Sequence, residues 1–104
     1  MSQGSLSYEM QKGHDFLDGS ATWDAASIAD GNEEAKEVTV TGAALGDFVI
    51  AKSLSVDVAD LVLDAQVTAA DTVTCVLANN TGGAVDLDSA TVRVVVMKRF
   101  NHFD

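Results

Sequence analysis

Cysteine occurs once and proline not at all in this chain of 104 residues. A single cysteine, Cys75, excludes an internal disulfide, so stability has to come from packing or from assembly. It sits in the alternating run Thr72-Val73-Thr74-Cys75-Val76-Leu77 with no basic neighbour to lower its pKa, and reads as a small core residue. Without proline, the edge strands of a sheet have to be blunted by charge, a role open to Asp57, Asp60 and Asp64. Aromatic side chains are few, with four Phe, one Trp and one Tyr. Of the 49 apolar residues 29 are Ala or Val, which implies a thin core.

Basic residues are scarce as well. Six Lys and Arg stand against sixteen Asp and Glu, and the net charge of −10 repels a phosphate backbone, which argues against nucleic acid as a partner. No hydrophobic run approaches the roughly 18 residues of a membrane span. The leading residues MSQGSLSYEMQKGHDF lack the basic and apolar regions of a signal peptide, so synthesis in the cytoplasm and no membrane partner are expected. The one basic stretch is residues 91–104, through Arg93, Lys98 and Arg99. These either pair with the protein's own acids or meet an acidic partner.

What the chain does have is period-two alternation. Val38 and Val40 alternate with Thr39 and Thr41 and stop at Gly42; Phe48 and Ile50 oppose Val49 and Ala51. Leu61, Leu63, Ala65 and Val67 form one face, as do Val73, Cys75 and Leu77 after the turn Ala69-Ala70-Asp71. Val92, Val94 and Val96 face one way, and Arg93, Val95 and Met97 the other. Five such strands separated by Gly, Asp and Asn turns, with a short sixth at Ala21–Trp23, predict an all-β domain, a small antiparallel β-sandwich or barrel, over residues 21–99. Residues 1–20 read as an extended N-terminal arm with apolar anchors Tyr8, Met10, Phe16 and Leu17, either a disordered leader or a segment that docks on a neighbour, with a short helical turn from Tyr8 to Phe16 as the other local conformation open to it. Residues 100–104 are a C-terminal tail. The last strand is apolar on both sides apart from Arg93, so its outer face should be covered by the arm, another sheet or a neighbouring subunit.

Motifs that carry chemistry are missing. His14 and His102 lie in opposite terminal segments without metal-ligand spacing to each other or to Cys75. There is no GxSxG elbow, and twelve Asp spread over turns and strand ends do not single out an acid-base pair. Asn79-Asn80-Thr81-Gly82-Gly83 has no Lys and reads as a turn, not a phosphate loop. Asp30-Gly31-Asn32-Glu33-Glu34 and Asp86-Leu87-Asp88 offer oxygen ligands of the kind calcium prefers, but neither fits the EF-hand loop, and they read as turn acids. Trp23 reads as a plug in the thin core, with a sugar-stacking platform as the competing role. No catalytic residue, metal ligand or cofactor is assigned, and the chain is expected not to be an enzyme.

The segments Ala21-Thr22-Trp23-Asp24, Val38-Thr39-Val40-Thr41-Gly42-Ala43 with Leu45-Gly46-Asp47, Asn80-Thr81-Gly82-Gly83 and Val85-Asp86-Leu87 together resemble a group of small virion structural proteins of tailed bacteriophages and prophages. The resemblance covers roughly residues 21–97. It departs at Ala25, where Pro is expected after Trp-Asp, and at Ala90, where Gly is expected after Ser89. It implies a structural protein of the particle: a capsid decoration, or cement, protein bound to the outer head surface, with the major capsid protein as partner and self-association as a trimer. Tyr8, Met10, Phe16, Leu17, Arg93, Lys98 and Arg99 are the candidate partner contacts, chosen on their chemistry. The alternative is a tail or fibre-associated module that recognises a receptor or glycan through Trp23, the Asn79–Gly83 loop and the acidic loops.

Overall fold

The computed structural model describes residues 16–99. Six strands follow one another: β1 (Phe16–Trp23), β2 (Glu33–Thr39), β3 (Phe48–Leu54), β4 (Val62–Ala69), β5 (Thr72–Ala78) and β6 (Ala90–Met97). They form two antiparallel three-stranded sheets with the orders β1-β6-β3 and β2-β5-β4. This is the sandwich of the two architectures expected. Only the β4–β5 connection stays within a sheet; every other one crosses to the opposite layer.

The core is the set of inward residues that period-two alternation defines. Val92, Val94 and Val96 of β6 face Val73, Cys75 and Leu77 of β5, and all six are buried, as are Val38 and Val67 on the flanking strands. Trp23, Ala25, Ile28, Val40, Ala43 and Leu61 complete the cluster. Burial pushes the Cys75 thiol up, which suits an inert core residue.

β1 and β2 extend furthest beyond the segments expected of them. Residues 16–20, which the sequence pattern assigns to the arm, form the first part of β1, and Phe16 pairs with Met97. The folded domain therefore begins at least five residues before position 21. β2 begins at Glu33, in the charged run Glu33-Glu34-Ala35-Lys36-Glu37. On this edge strand Glu34 and Lys36 stand opposite the buried Leu77 and Cys75, an arrangement that discourages a further strand from adding to the edge. Ala90 is the buried first residue of β6 and pairs with Trp23.

Close approach of the two layers on one side depends on Gly19. A Cβ there would lie 2.5 Å from the carbonyl oxygen of Thr39 and 2.8 Å from Val40 Cγ2, so β1 can lie against the end of β2 only without a side chain at this position. In the turn of the β4–β5 hairpin, Asp71 takes a positive φ of 60° and ties the hairpin to the turn after β2. Its Oδ1 accepts from Gly42 N at 2.8 Å, its N–H donates to Ala43 O, and its carbonyl accepts from Val40 N.

Candidate functional site

The register of β1-β6-β3 sets the outer face of that sheet row by row. Phe16, Met97 and Phe48 stand side by side in the first row, and Asp18, Val95 and Ala51 in the second. Ser20, Arg93 and Ser53 make the third. The β3 register shifts between Val49 and Ala51, so Ile50 is the extra residue of a bulge beside Val95. Phe16, Phe48 and Ile50 are each about half exposed, at 47%, 49% and 50%. Val95 and Met97 between them are half-buried. One end of the face is thus a contiguous apolar patch built on the central strand and both of its neighbours, and the polarity rises along the sheet toward Arg93. The opposite sheet differs: its outer face carries Glu33, Glu37 and Asp64 among small residues and Val62.

The candidate contact residues separate into groups. Phe16 belongs to the apolar patch and Arg93 is exposed in its third row. Leu17 points the other way and packs on the core, beside the Gly42 turn, because it alternates with Phe16 along β1. It therefore serves the fold, not an arm. Tyr8 and Met10, like His14 and His102, lie outside the described residues.

Lys98 is committed within the molecule. Its Nζ donates to Asp47 Oδ2 at 2.6 Å and to Gly42 O at 2.9 Å, while Asp47 also accepts from Ala44 N (2.9 Å) and Arg99 N (3.1 Å). The side chain of Asp47 is 1% exposed. Burial alone pushes its carboxyl up, but the hydrogen bonds from Lys98, Arg99 and Ala44, together with the Lys98 charge, outweigh that and hold it below its ordinary value of 3.8. This cluster fastens the exit of β6 to the turn before β3, which presents Phe48 and Met97 in one row. Because the folded value lies below the unfolded one, its contribution to stability is complete above about pH 4 and is lost as pH falls through the folded value. Asp47→Asn is expected to cost about 2 kcal/mol at pH 7 and to flatten the acid limb of a plot of urea midpoint against pH. Equal acid limbs in the two proteins would show that this carboxylate is not held by its neighbours.

Asn79 is the second polar group buried in the domain, 1% exposed. Its Nδ2 donates to Ile28 O (2.7 Å) and Gly83 O (2.8 Å), and its Oδ1 accepts from Thr81 N and Thr81 Oγ1, both at 2.8 Å. All four of its hydrogen-bonding positions are used. The Asn79–Gly83 loop is thereby clamped onto the β1–β2 connection, with Gly82 N donating to Asp30 Oδ1 at 3.0 Å.

The sugar-stacking role for Trp23 is excluded by position: the ring is 4% exposed and belongs to the core. Glu33 and Glu34 lie in β2, so the Asp30–Glu34 run is not a loop of converging ligands, and among the described residues no three His, Cys, Asp or Glu side chains are grouped to hold a metal ion. What the described surface offers is the exposed apolar patch at one end of the β1-β6-β3 face.

Sequence reasoning does not single out Phe48 and Ile50 as contacts, although their shared face is legible; the bulge that exposes Ile50 leaves no signal in the alternation. Comparison with family models, with curated proteins and with solved structures finds no match to this chain.

Proposed function

We propose that the chain is a non-enzymatic structural protein of a phage virion, a capsid decoration protein that binds the outer surface of the head, in trimers, and adds to the stability of the shell. The observation that carries the reading is the exposed apolar patch of Phe16, Phe48, Ile50, Val95 and Met97 on a domain of only two thin layers. Three side chains of this size left half in water are unfavourable for an isolated subunit. Covering them against a lattice of other subunits stabilises both partners by mass action. Arg93, on the same face, suits a partner with acidic groups. The segment similarity to small phage virion proteins points the same way.

The test is to locate the protein on purified particles. Many copies distributed over the head are expected, and few copies confined to the tail would overturn the reading. On heads lacking the protein, Phe16→Ser with Phe48→Ser is expected to lower occupancy at least tenfold, with little change in the unfolding midpoint because both rings are half in solvent already. Unchanged occupancy would show that this face does not bind.

A further inference from the structure

Two three-stranded sheets leave four edge strands: β1 and β3 in one sheet, β2 and β4 in the other. An edge strand turns the N–H and C=O of alternate residues outward and accepts another strand unless something prevents it. Three of the four carry such a device. β2 sets Glu34 and Lys36 opposite the buried Leu77 and Cys75. β3 has the bulge at Ile50 and sets Lys52 opposite the buried Val94. β4 shifts register between Val67 and Ala69, and its Asp64 carboxylate accepts from Ala65 N at 2.8 Å. β1 has none of these. Its eight residues pair with β6 without a break, and its one charge, Asp18, stands on the outer face. Among the described residues no backbone hydrogen bond reaches its free edge.

The surroundings of that edge specify what it accepts. A strand laid beside β1 sends alternate side chains to the outer face and toward β2. On the outer face it lengthens the existing rows. The position beside Phe16 joins the apolar row, and the one beside Asp18 favours a basic or neutral side chain. The position beside Ser20 lies two strand spacings, about 10 Å, from Arg93. Arg93 is exposed and has no ion pair among the described residues, so an acidic side chain there and the guanidinium can meet. On the other side a cleft of about 400 Å³ lies between the β1 edge and the end of β2, lined in part by Leu17, Thr39 and Thr41. The position beside Leu17 points into it and suits an apolar side chain.

We propose that the free edge of β1 takes up an extended segment of a protein partner as an added antiparallel strand, with an acidic residue beside Ser20 and, three and four positions further on, apolar residues beside Leu17 and Phe16. A second copy of β1 fits less well. With its only acid, Asp18, beside Ser20, antiparallel pairing sets Ala21 beside Leu17 and Thr22 beside Phe16, which leaves the cleft unfilled, and each chain has a net charge of −10. This site goes beyond the decoration reading and does not depend on it.

The isotope-labelled full-length chain, titrated with the peptide acetyl-Thr-Glu-Ser-Lys-Leu-Leu-Thr-amide, tests the proposal through its amide resonances. Saturable shifts at residues 16–22 and Arg93 are expected, with slowed hydrogen exchange on alternate β1 amides. A peptide with Lys in place of Glu should bind at least about threefold more weakly, and Arg93→Ala, at an exposed position, should erase that difference with the circular dichroism spectrum unchanged. No saturation, shifts centred on β2, β3 or β4, or equal affinity of the two peptides would overturn it. So would β1-edge amides already protected in the free chain. Protection independent of concentration would assign the edge to the chain's own residues, and protection that grows with concentration to a second copy. Occupancy on heads is a separate readout, so either proposal can fail while the other stands.

Discussion

Replacing Trp23 by alanine is expected to cost about 4 kcal/mol, because bulky side chains are scarce in this core. Trp23 closes the end of β1, opposite Ala90, and sits in a cluster otherwise made of Val, Ala, Leu, Ile and Cys. Small neighbours have little side-chain length with which to fill the space it would leave, so the cavity persists and the cost stays near the upper part of the range for such changes. The indole also links the two layers, through Nε1 to Glu34 Oε1 at 3.4 Å, while the same carboxylate accepts from Ala26 N at 3.2 and 3.1 Å. At that length the indole bond is weak, so Trp23→Phe should recover most of the loss. A domain of this size is stable by about 5–15 kcal/mol, and the alanine variant should lose a large share of its cooperative unfolding transition at 37 °C. Chemical denaturation measures it; a loss under about 1 kcal/mol would place the ring outside the energetically important core.

Asn79→Ala is expected to cost about 3 kcal/mol, seen as a fall in the thermal midpoint of roughly 12–20 °C for a domain of this length. The reason is asymmetry. Alanine removes one side chain but takes a hydrogen bond from Ile28 O, Gly83 O, Thr81 N and the Thr81 hydroxyl together; Ile28 O keeps Val85 N and Gly83 O keeps the Thr81 hydroxyl, so the cost falls on the four lost bonds and on Thr81 N above all. Asn79→Asp provides the sharper comparison. A carboxylate keeps the acceptor for Thr81 but turns a negative charge toward the Ile28 and Gly83 carbonyls, so it should be worse than alanine at pH 7. Its disfavoured ionisation raises the folded pKa, so the deficit should narrow as pH falls through that raised folded value and level off below about 4, where the unfolded group is also protonated. Two variants of equal stability across pH would rule out the buried amide as a donor to those carbonyls.

Much of this is legible in the residues. The inward faces of β4, β5 and β6 follow directly from Leu61-Leu63-Ala65-Val67, Val73-Cys75-Leu77 and Val92-Val94-Val96, because a two-sided sheet residue pattern has only one way to bury its apolar half. The outward Val95 and Met97 mark the β1-β6-β3 face as unfinished from the residue pattern alone. The first halves of β1 and β2 are not legible, for a shared reason. Phe16-Leu17-Asp18-Gly19-Ser20 and Glu33-Glu34-Ala35-Lys36-Glu37 put Gly19, Glu34 and Lys36 at inward positions opposite Val94, Leu77 and Cys75, so the apolar alternation that marks the inward face of β4 is missing from them.

The roles of Asp47, Asn79 and Gly19 depend on residues 52, 51 and 20 positions away in the chain, namely Arg99, Ile28 and Thr39. No local window contains both halves of such a contact. Composition and alternation alone determined the class of fold, the valine core and the face left apolar, since these depend on period and side-chain volume, which are properties of each strand by itself. The tertiary structure decided which polar groups became buried clamps, that Lys98 is held internally while Arg93 is exposed, and that Phe16, Phe48 and Ile50 meet in one patch. Those outcomes depend on how the two sheets are laid against each other and on a single bulge, and strand pairing across distant segments is set by the global packing, not by the residues of either segment.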